Sequence, residues 1–240
     1  MNSQHLNEKK SHLGVDYFEK MHIIKNRKED EVAIMLIQFN FKNFRSFREE
    51  ATLDLSATKM TEFSERVVTI GREKILPVAA IYGANASGKS NIYSAFEYMA
   101  EYVVDSFKYG DEEEKFEEYR PTPFLFDSTS ADAESSFEVY FTIPGDKNEK
   151  TYNYGFCVDQ EGVTEEWLNS KAKTARKYST VFYRGNSDCE LDLSGLPKNS
   201  RDNIKIALEK QVLIASLGAK LKISKCKAIR DWFLTNEFAD

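Results

Sequence analysis

The chain has 240 residues, 41% of them hydrophobic and 13% aromatic, so it can bury a core of ordinary density as one large domain or two small lobes. A formal net charge of −6 and a pI near 5.4 argue against a protein whose whole surface attracts nucleic acid or anionic lipid. No apolar run reaches the length of about 18 residues that spans a bilayer, and the N-terminus lacks the apolar core of a signal peptide. These features predict a soluble, cytoplasmic protein with no membrane partner.

Cysteine and histidine usage limits the chemistry further. The three cysteines are far apart and form no CxxC pair, which favours packing thiols in a reducing compartment. They are Cys157, Cys189 and Cys226. The three histidines, His5, His12 and His22, have spacings that fit no metal site. Because no histidine follows His22, the body of the chain excludes histidine-based triads and histidine-metal hydrolase sites.

Residues 1–34 are polar and rich in lysine and glutamate, with one short apolar cluster. We interpret them as an N-terminal extension that is dispensable for folding, because it has little apolar surface to bury. Residues 35–240 then form the domain.

Two alternating segments open this domain. In "MLIQFNFKNF", Ile37, Phe39 and Phe41 alternate with polar residues, which is the period of a half-buried strand. The segment 51–57, "ATLDLSA", alternates in the same way, so the two predict a hairpin-like pair. The segment 66–70, "RVVTI", predicts a third short strand.

A continuous apolar run, "ILPVAAIY" at 75–82, is typical of a strand buried on both faces. The octapeptide "GANASGKS" follows it at 83–90. Apolar residues then recur at steps of three and four, which predicts a helix that starts near Lys89 and buries one stripe. The stripe consists of Ile92, Ala95, Phe96, Met99, Tyr102 and Val103.

The remaining chain divides into an acidic stretch, a set of strands and two helices. The acidic residues 111–118 predict a solvated loop or helix face. Alternating segments between 137 and 184 predict an antiparallel meander of about four strands. Two helical patterns follow, at 200–213 with Ser200 as its cap and at 224–234.

The octapeptide carries the chemistry. It has the form GxxxxGK[ST] between a predicted strand and a predicted helix, the context that a phosphate-binding P-loop requires. Gly83 and Gly88 allow backbone N–H groups to point at phosphate oxygens, and the helix N-terminus adds partial positive charge. Lys89 can reach the β- and γ-phosphates, and the Ser90 hydroxyl can ligate Mg²⁺. The predicted site for ATP and Mg²⁺ therefore comprises Gly83, Ala84, Asn85, Ala86, Ser87, Gly88, Lys89 and Ser90. A glycine-rich turn without a ligand is the alternative.

A family resemblance adds to this prediction. The segments "FNFKNFRSFREEATLDL" and "YGANASGKSNIYSAF" resemble the opening of ABC-type ATPases of the SMC-like class, and most closely the AAA-type ATP-binding proteins of bacterial abortive-infection and anti-phage systems. The likeness runs from Met35 to about residue 235 and includes "FEVYF", "YNYGF", "TEEWL" and "VFYR", which look like that family's antiparallel lobe, and "IRDWF".

The resemblance implies an α/β P-loop fold of the ABC type with an antiparallel β-meander lobe. It also implies ATP hydrolysis by the complete family protein, in a bacterial defence or DNA-related system. By the same resemblance, Asn43, Arg45 and Ser46 lie near the nucleotide, on the loop beside the phosphate cradle. A surface turn is the alternative for those three residues.

Motifs for hydrolysis are not evident. An ABC-type site needs a buried strand that ends in Asp-Glu and an LSGG-like helix start from a second subunit. Asp159 follows an alternating segment at a predicted hairpin turn, "SLGAKL" at 216–221 is only faintly like a signature loop, and no Q-loop or switch histidine is recognisable. The catalytic residues are therefore unknown. We expect the N-terminal half of an ABC-type ATPase, completed as a homodimer or by a partner chain that supplies the signature and Walker B motifs.

Two other functions stay open. A small-molecule P-loop kinase needs arginines on a mobile lid, for which Arg176 and Arg184 are the nearest candidates. A non-catalytic interaction module would use the nucleotide as a structural ligand or dimerisation trigger. The basic stretches at 171–177 and 220–227 can contact nucleic acid, but they have no interleaved aromatic residues and solvated surfaces are the alternative.

Overall fold

The computed structural model describes residues 22–25, 28–29, 32–33, 35–57, 64–110, 113–143, 150–187, 190–235 and 238–239. The structure does not describe His5, His12, Cys189 or the side chain of His22, so the predictions made for them lie outside the described residues. Cys157 and Cys226 are buried free thiols, in agreement with a packing role. Within the described ranges, no helix is both long and apolar enough to cross a membrane.

The chain forms a mixed α/β structure. Its strands are β1 (His22–Lys25), β2 (Lys28–Glu29), β3 (Val32–Ala33), β4 (Met35–Lys42), β5 (Ala51–Asp54), β6 (Val68–Ile70), β7 (Glu73–Ile75), β8 (Val78–Ile81), β9 (Ser135–Thr142), β10 (Thr151–Val158), β11 (Val163–Lys171), β12 (Ser179–Arg184), β13 (Leu191–Asp192) and β14 (Phe238–Ala239). Its helices are α1 (Lys89–Asp105), α2 (Glu113–Glu118), α3 (Ser128–Ala131), α4 (Lys198–Ala207), α5 (Ile214–Lys220) and α6 (Ser224–Thr235).

One antiparallel sheet of seven strands dominates the fold, in the order β13-β12-β11-β10-β9-β4-β5. The predicted opening pair exists as β4 and β5, in which Phe39 lies opposite Leu53. The predicted meander exists as β9 to β12. The two predicted units form one sheet because β4 also pairs with β9, with Phe39 opposite Val139.

Helices α1 and α6 cover the apolar face of this sheet. The predicted stripe of α1 is buried at Ala95, Phe96, Met99, Tyr102 and Val103, and Ile92 packs at its edge. Phe96 contacts the Trp232 ring of α6 at a centroid distance of 6.2 Å, and Trp232 contacts Phe141 of β9 at 4.5 Å. Large aromatic side chains bury the most apolar area per residue, so these contacts tie the glycine-rich loop's helix to the sheet.

The apolar run at 75–82 differs from its prediction. It is divided between β7, which pairs with β6 in a two-stranded sheet, and β8, which pairs with β1. Pro77 lies at the division, where its missing N–H prevents a continuous ladder. The prediction of one strand buried on both faces is therefore wrong: β8 alternates between half-buried and exposed residues, and Val78 is 47% exposed.

The helices match the sequence patterns in part. Helix α6 agrees with the prediction. The helix predicted at 200–213 is α4, which begins after Pro197 and ends at Ala207. Ser200 therefore lies inside this helix and does not cap it. Helix α5 was missed, because its seven residues are too few to show a helical period. The acidic stretch contains α2, which buries Phe116.

The extension contributes a strand. Residues 22–25 form β1, which pairs antiparallel with β8 over four residue pairs, from His22 opposite Ile81 to Lys25 opposite Val78. Strand β8 leads directly into the glycine-rich loop, so a segment that the sequence placed outside the domain supports the loop's entry. This pairing argues against a fully dispensable extension.

Removing residues 1–34 is therefore expected to lower stability by about 1–2 kcal/mol, or a few degrees in Tm, because β8 loses its backbone partner. The measurement compares thermal unfolding of the full chain with that of a chain that starts at Met35. A chain that starts at Met21 keeps β1 and is the matched control, expected to melt like the full chain. Equal melting of all three would restore the sequence-based view that the extension is dispensable.

Candidate nucleotide-binding site

The loop between β8 and α1 has the backbone shape of a phosphate cradle. Gly88 has φ +91° and Ala86 has φ +64°, both in the left-handed region. A Cβ at position 88 would lie 3.2 Å from the Phe47 ring and from Ser46 Oγ, so packing as well as conformation requires glycine there. A non-glycine residue at positive φ, such as Ala86, is uncommon and is found preferentially at functional sites.

The N-terminus of α1 adds positive potential to the same loop. Gly88 is the N-cap and makes no side-chain capping bond, and no acidic residue occupies the first turn. The helix extends over 17 residues, so its first N–H groups present the positive end of the helix dipole to the loop. Such a terminus favours anionic ligands.

The Lys89 side chain lies across the loop. Its Nζ donates hydrogen bonds to the carbonyl oxygens of Gly83 and Ala84, the latter at 2.8 Å. The loop is also closed by a bond of 3.2 Å from the Ser87 N–H to the Ala84 oxygen. The ammonium group is thus held inside the loop opening, where it can meet an incoming phosphate.

Ser90, the predicted metal ligand, is exposed and is the second residue of α1. In the described part of the chain, no group of three or more His, Cys, Asp or Glu side chains could hold a metal ion. In phosphate-transfer sites Mg²⁺ is commonly bound through one or two carboxylates together with phosphate oxygens and water, and a Mg²⁺ ion at Ser90 would need such ligands as well.

The turn after β4 lies against the start of α1. Arg45 Nη1 donates to Ser94 Oγ at 2.7 Å, and Asn91 Nδ2 donates to Ser46 Oγ at 2.7 Å. Together with the contact of Phe47 on Gly88, these bonds place Arg45 and Ser46 beside the cradle. Contact of these two residues with a nucleotide stays a prediction.

Asn43 has a different position in the same turn. It is only 3% exposed, and its Nδ2 donates to the carbonyl oxygens of Ser130 and Ala133, both at 2.9 Å, while its Oδ1 accepts from the Phe124 N–H at 3.0 Å. Its amide is thus engaged by the segment between α2 and β9. Asn43 anchors the turn that presents Arg45 and Ser46, and a direct nucleotide contact is untested.

Acidic side chains in the hairpin between β10 and β11 have structural partners. Asp159 Oδ1 accepts from the N–H groups of Glu161 and Gly162 at 2.7 and 2.9 Å, which makes it a turn residue. The exposed Glu161 forms an ion pair with Lys210. No group here is positioned as the end of a buried Asp-Glu strand.

Glu166 is the one fully buried carboxylate among the described residues, at 0% exposure. It accepts hydrogen bonds from the Tyr154 hydroxyl at 3.0 Å and from the N–H groups of Ile214 and Ala215 at 2.6 and 3.0 Å. Burial raises the pKa of Glu166 to about 7, although the two N–H groups and Arg184 act to lower it. The sequence carries only a weak signal of this role, the two consecutive glutamates in an alternating segment.

These carboxylates lie at the far end of α1 from the cradle. Tyr102 donates to the Gln211 oxygen at 2.9 Å, and Ser106 Oγ accepts from the Leu213 N–H at 3.2 Å, next to the residues that Glu166 binds. With a rise of 1.5 Å per residue, Tyr102 is roughly 20 Å along the helix from Ser90. The groups near 159–166 are therefore remote from any phosphate held by residues 83–90.

The other sequence-level candidates for catalysis are also remote. The segment "SLGAKL" begins inside α5 and ends at the C-cap of that helix, so it is not a signature-type helix start. Its Ser216 is buried, and the Ser216 Oγ accepts a hydrogen bond from the Phe107 N–H at 3.1 Å. Arg184 donates to the carbonyl oxygens of Val212 and Glu209 at 2.8 and 3.1 Å, so it braces the chain before α5 and is not part of a lid.

Comparison with known proteins supports the P-loop interpretation. Residues 78–189, just under half of the chain, match a family model described as an AAA domain, whose description also names an AbiEii toxin and a type IV TA system. No curated protein and no solved structure gave a significant match. The matched region begins with β8 and contains the cradle, α1 and all four strands of the meander. Residues 78–189 are thus similar to an AAA-type P-loop domain, for which nucleotide binding and ATPase-like chemistry are expected.

Proposed function

We propose that this chain binds Mg-ATP at residues 83–90 and is an incomplete ABC-type ATPase of a bacterial defence or DNA-related system. The observation that carries the proposal is the Lys89 ammonium held across a loop with two left-handed residues, at the uncapped N-terminus of a 17-residue helix. This arrangement supplies N–H donors, a helix dipole and the Lys89 cation to the β- and γ-phosphates.

The neighbouring residues take supporting roles in this proposal. Ser90 contributes its hydroxyl to Mg²⁺, which bridges the phosphates. Arg45 is exposed beside the first turns of α1 and adds a positive charge near the nucleotide, while Ser46 is held by Asn91 and closes the other side. Asn43 acts indirectly, through the shape of the turn.

A second polypeptide completes the site in this proposal. Strand β8 is an edge strand of the sheet β14-β1-β8, and within the described residues no strand pairs with its other edge. Its apolar sequence is typical of a buried strand, yet Val78 is 47% exposed and the following Tyr82 is 69% exposed. An apolar strand from a partner chain that carries these motifs would cover this edge and bring the missing Asp-Glu and signature groups to the cradle. A second copy of this chain would cover the edge only.

Mg-ATP is expected to stabilise the folded chain through the cradle. At a hundred times its Kd, a ligand adds roughly 2.7 kcal/mol to the free energy of unfolding, which a thermal melt detects. The substitution Lys89→Ala should remove most of that shift in Tm. The control substitution Lys108→Ala, in the turn that follows the C-terminus of α1, should leave the shift unchanged. A shift that survives Lys89→Ala would place the nucleotide elsewhere and overturn the proposal.

A non-catalytic module that uses ATP as a dimerisation trigger is the second candidate. It is favoured by the remoteness of the residue 159–166 carboxylates from the cradle. Two results together would support the module. Light scattering would show dimerisation that depends on ATP, and no combination of partners would release phosphate.

A further inference from the structure

The two basic stretches that the sequence left open differ in their structural environment. In residues 220–227, Lys220 lies over the Phe107 ring at 4.8 Å, Lys225 donates to the Gly195 oxygen at 2.8 Å, and Lys227 forms an ion pair with Asp231. Three of the four lysines in this stretch, all but Lys222, thus have a partner within the protein, and the stretch is distributed over two helix ends. This stretch has the properties of a solvated surface.

The stretch at 171–177 instead meets a second basic segment. The loop between β11 and β12 and the tip of the β6–β7 hairpin form the walls of a concave pocket of about 190 Å³. Four positively charged side chains and one negatively charged side chain line it, in a chain whose net charge is −6. The positive residues are Arg72, Lys171, Lys173 and Arg176, and the negative residue is Glu73.

The one carboxylate of the pocket is already paired. Lys171 Nζ lies 3.2 Å from Glu73 Oε1, so Glu73 is paired with a lysine and not with Arg72 or Arg176. Arg72 and Arg176 are exposed, and no ion pair joins either of them to a carboxylate among the described residues. Two guanidinium groups from separate segments therefore line one concavity whose single carboxylate is paired with Lys171, and such a net positive concavity favours anions.

An aromatic ring contacts one of the lysines that line the pocket: Tyr178, which directly follows the basic stretch in the sequence. Lys171 Nζ lies 5.0 Å from the centroid of the Tyr178 ring, and this ring meets Tyr140 of β9 at 6.2 Å. Tyr178 is 36% exposed. A group of cations with a partly exposed ring against one of them is found on nucleic-acid surfaces, in which cations hold phosphates and rings contact sugars or bases.

We propose that the pocket between the β6–β7 hairpin and the β11–β12 loop binds the phosphodiester backbone of a nucleic acid, with Arg72 and Arg176 as the principal phosphate contacts. This site is separate from the proposed ATP site, and its binding does not depend on the sequence of the nucleic acid, because the lining offers charge and not a pattern of base-edge contacts.

The test measures the fluorescence anisotropy of a labelled DNA duplex over a series of salt concentrations. The double variant Arg72→Ala/Arg176→Ala should bind roughly tenfold more weakly for each arginine near 0.1 M salt, and the slope of log K against log salt should fall by about 1 for each lost contact. Both arginines are exposed, so the variant should melt like the unchanged chain. A duplex of unrelated sequence should bind equally.

The matched control is Lys225→Ala/Lys227→Ala, which removes the same charge from the other basic stretch and should leave affinity within about twofold. Lys89→Ala should also bind DNA normally. Unchanged binding by the arginine variant, an equal loss in the lysine control, or dependence on Lys89 would overturn the proposal. So would arginine-dependent binding to phosphatidylserine vesicles in the absence of binding to DNA, because the surface would then be a lipid site.

Discussion

Replacing Glu166 with alanine is expected to destabilise the chain by at least about 3 kcal/mol. The carboxylate is fully buried and is the acceptor for the Tyr154 hydroxyl and for two N–H groups at the start of α5. Alanine would leave three buried donors without a partner, and the cost of each unsatisfied donor is of the order of 1 kcal/mol or more. Because the free energy of unfolding of natural domains is about 5–15 kcal/mol, the loss is a large share of the total.

Thermal and denaturant unfolding measure this effect. A loss of about 3 kcal/mol corresponds to a fall of roughly 6–12 °C in Tm for a chain of this size. Glu165→Ala is the matched control, since Glu165 is the next residue of β11, points to the other face of the sheet and is half-buried. That variant should lose no more than about 1 kcal/mol. Equal stability of the two variants would mean that the Glu166 carboxylate does not hold α5.

The same carboxylate makes stability depend on pH. Burial raises the pKa of Glu166 from its ordinary 4.5 to about 7, so the folded chain binds the proton more tightly than the unfolded chain. The contribution of this group is fully present below pH 4.5 and is lost as the pH rises through about 7. The Glu166→Gln variant has no titrating group at position 166 and keeps every other titrating group of the unchanged chain. The stability of the unchanged chain minus that of Glu166→Gln should therefore fall across this window, and a constant difference would indicate an ordinary pKa.

Local patterns predicted the cradle and its helix. The glycines of the loop and Lys89 lie within eight consecutive residues, so the motif is visible in the sequence. The buried stripe of α1 follows from the spacing of its apolar residues at steps of three and four. The strands of the meander were predicted for the same reason. The pairing of β4 with β9 was not predictable, because it joins residues about a hundred positions apart, as Phe39 and Val139 show. Nothing in an alternating pattern specifies which strands become neighbours.

For the site residues too, the sequence did not show which residues contact each other in the folded chain. The family resemblance grouped Asn43 with Arg45 and Ser46, yet only Arg45 and Ser46 bond to residues of α1, while Asn43 bonds to the segment before β9. Glu166 gave one weak signal, since two consecutive glutamates in an alternating strand require that one faces inward. Which glutamate does so depends on α5, a helix too short to be recognised from sequence.

Binding and turnover are expected to separate in this chain. The loop and Lys89 stabilise the bound ground state, whereas hydrolysis needs a carboxylate that orients water and groups that stabilise charge in the transition state. The carboxylates of residues 159–166 have other partners and lie roughly 20 Å along α1 from Ser90. No residue near the cradle has been assigned those tasks.

We therefore expect the purified chain to bind ATP but to release phosphate no faster than its own Lys89→Ala variant, at every protein concentration that keeps it monomeric. Turnover should appear only with a polypeptide that supplies an Asp-Glu strand and a signature helix. The measurement is phosphate release by both proteins over a concentration series. Lys89-dependent release that is independent of concentration would show that a single chain carries a complete catalytic site and would contradict this expectation. Release that rises with the square of the concentration would contradict it as well, because a second copy would then supply catalytic groups for which this sequence shows no motif.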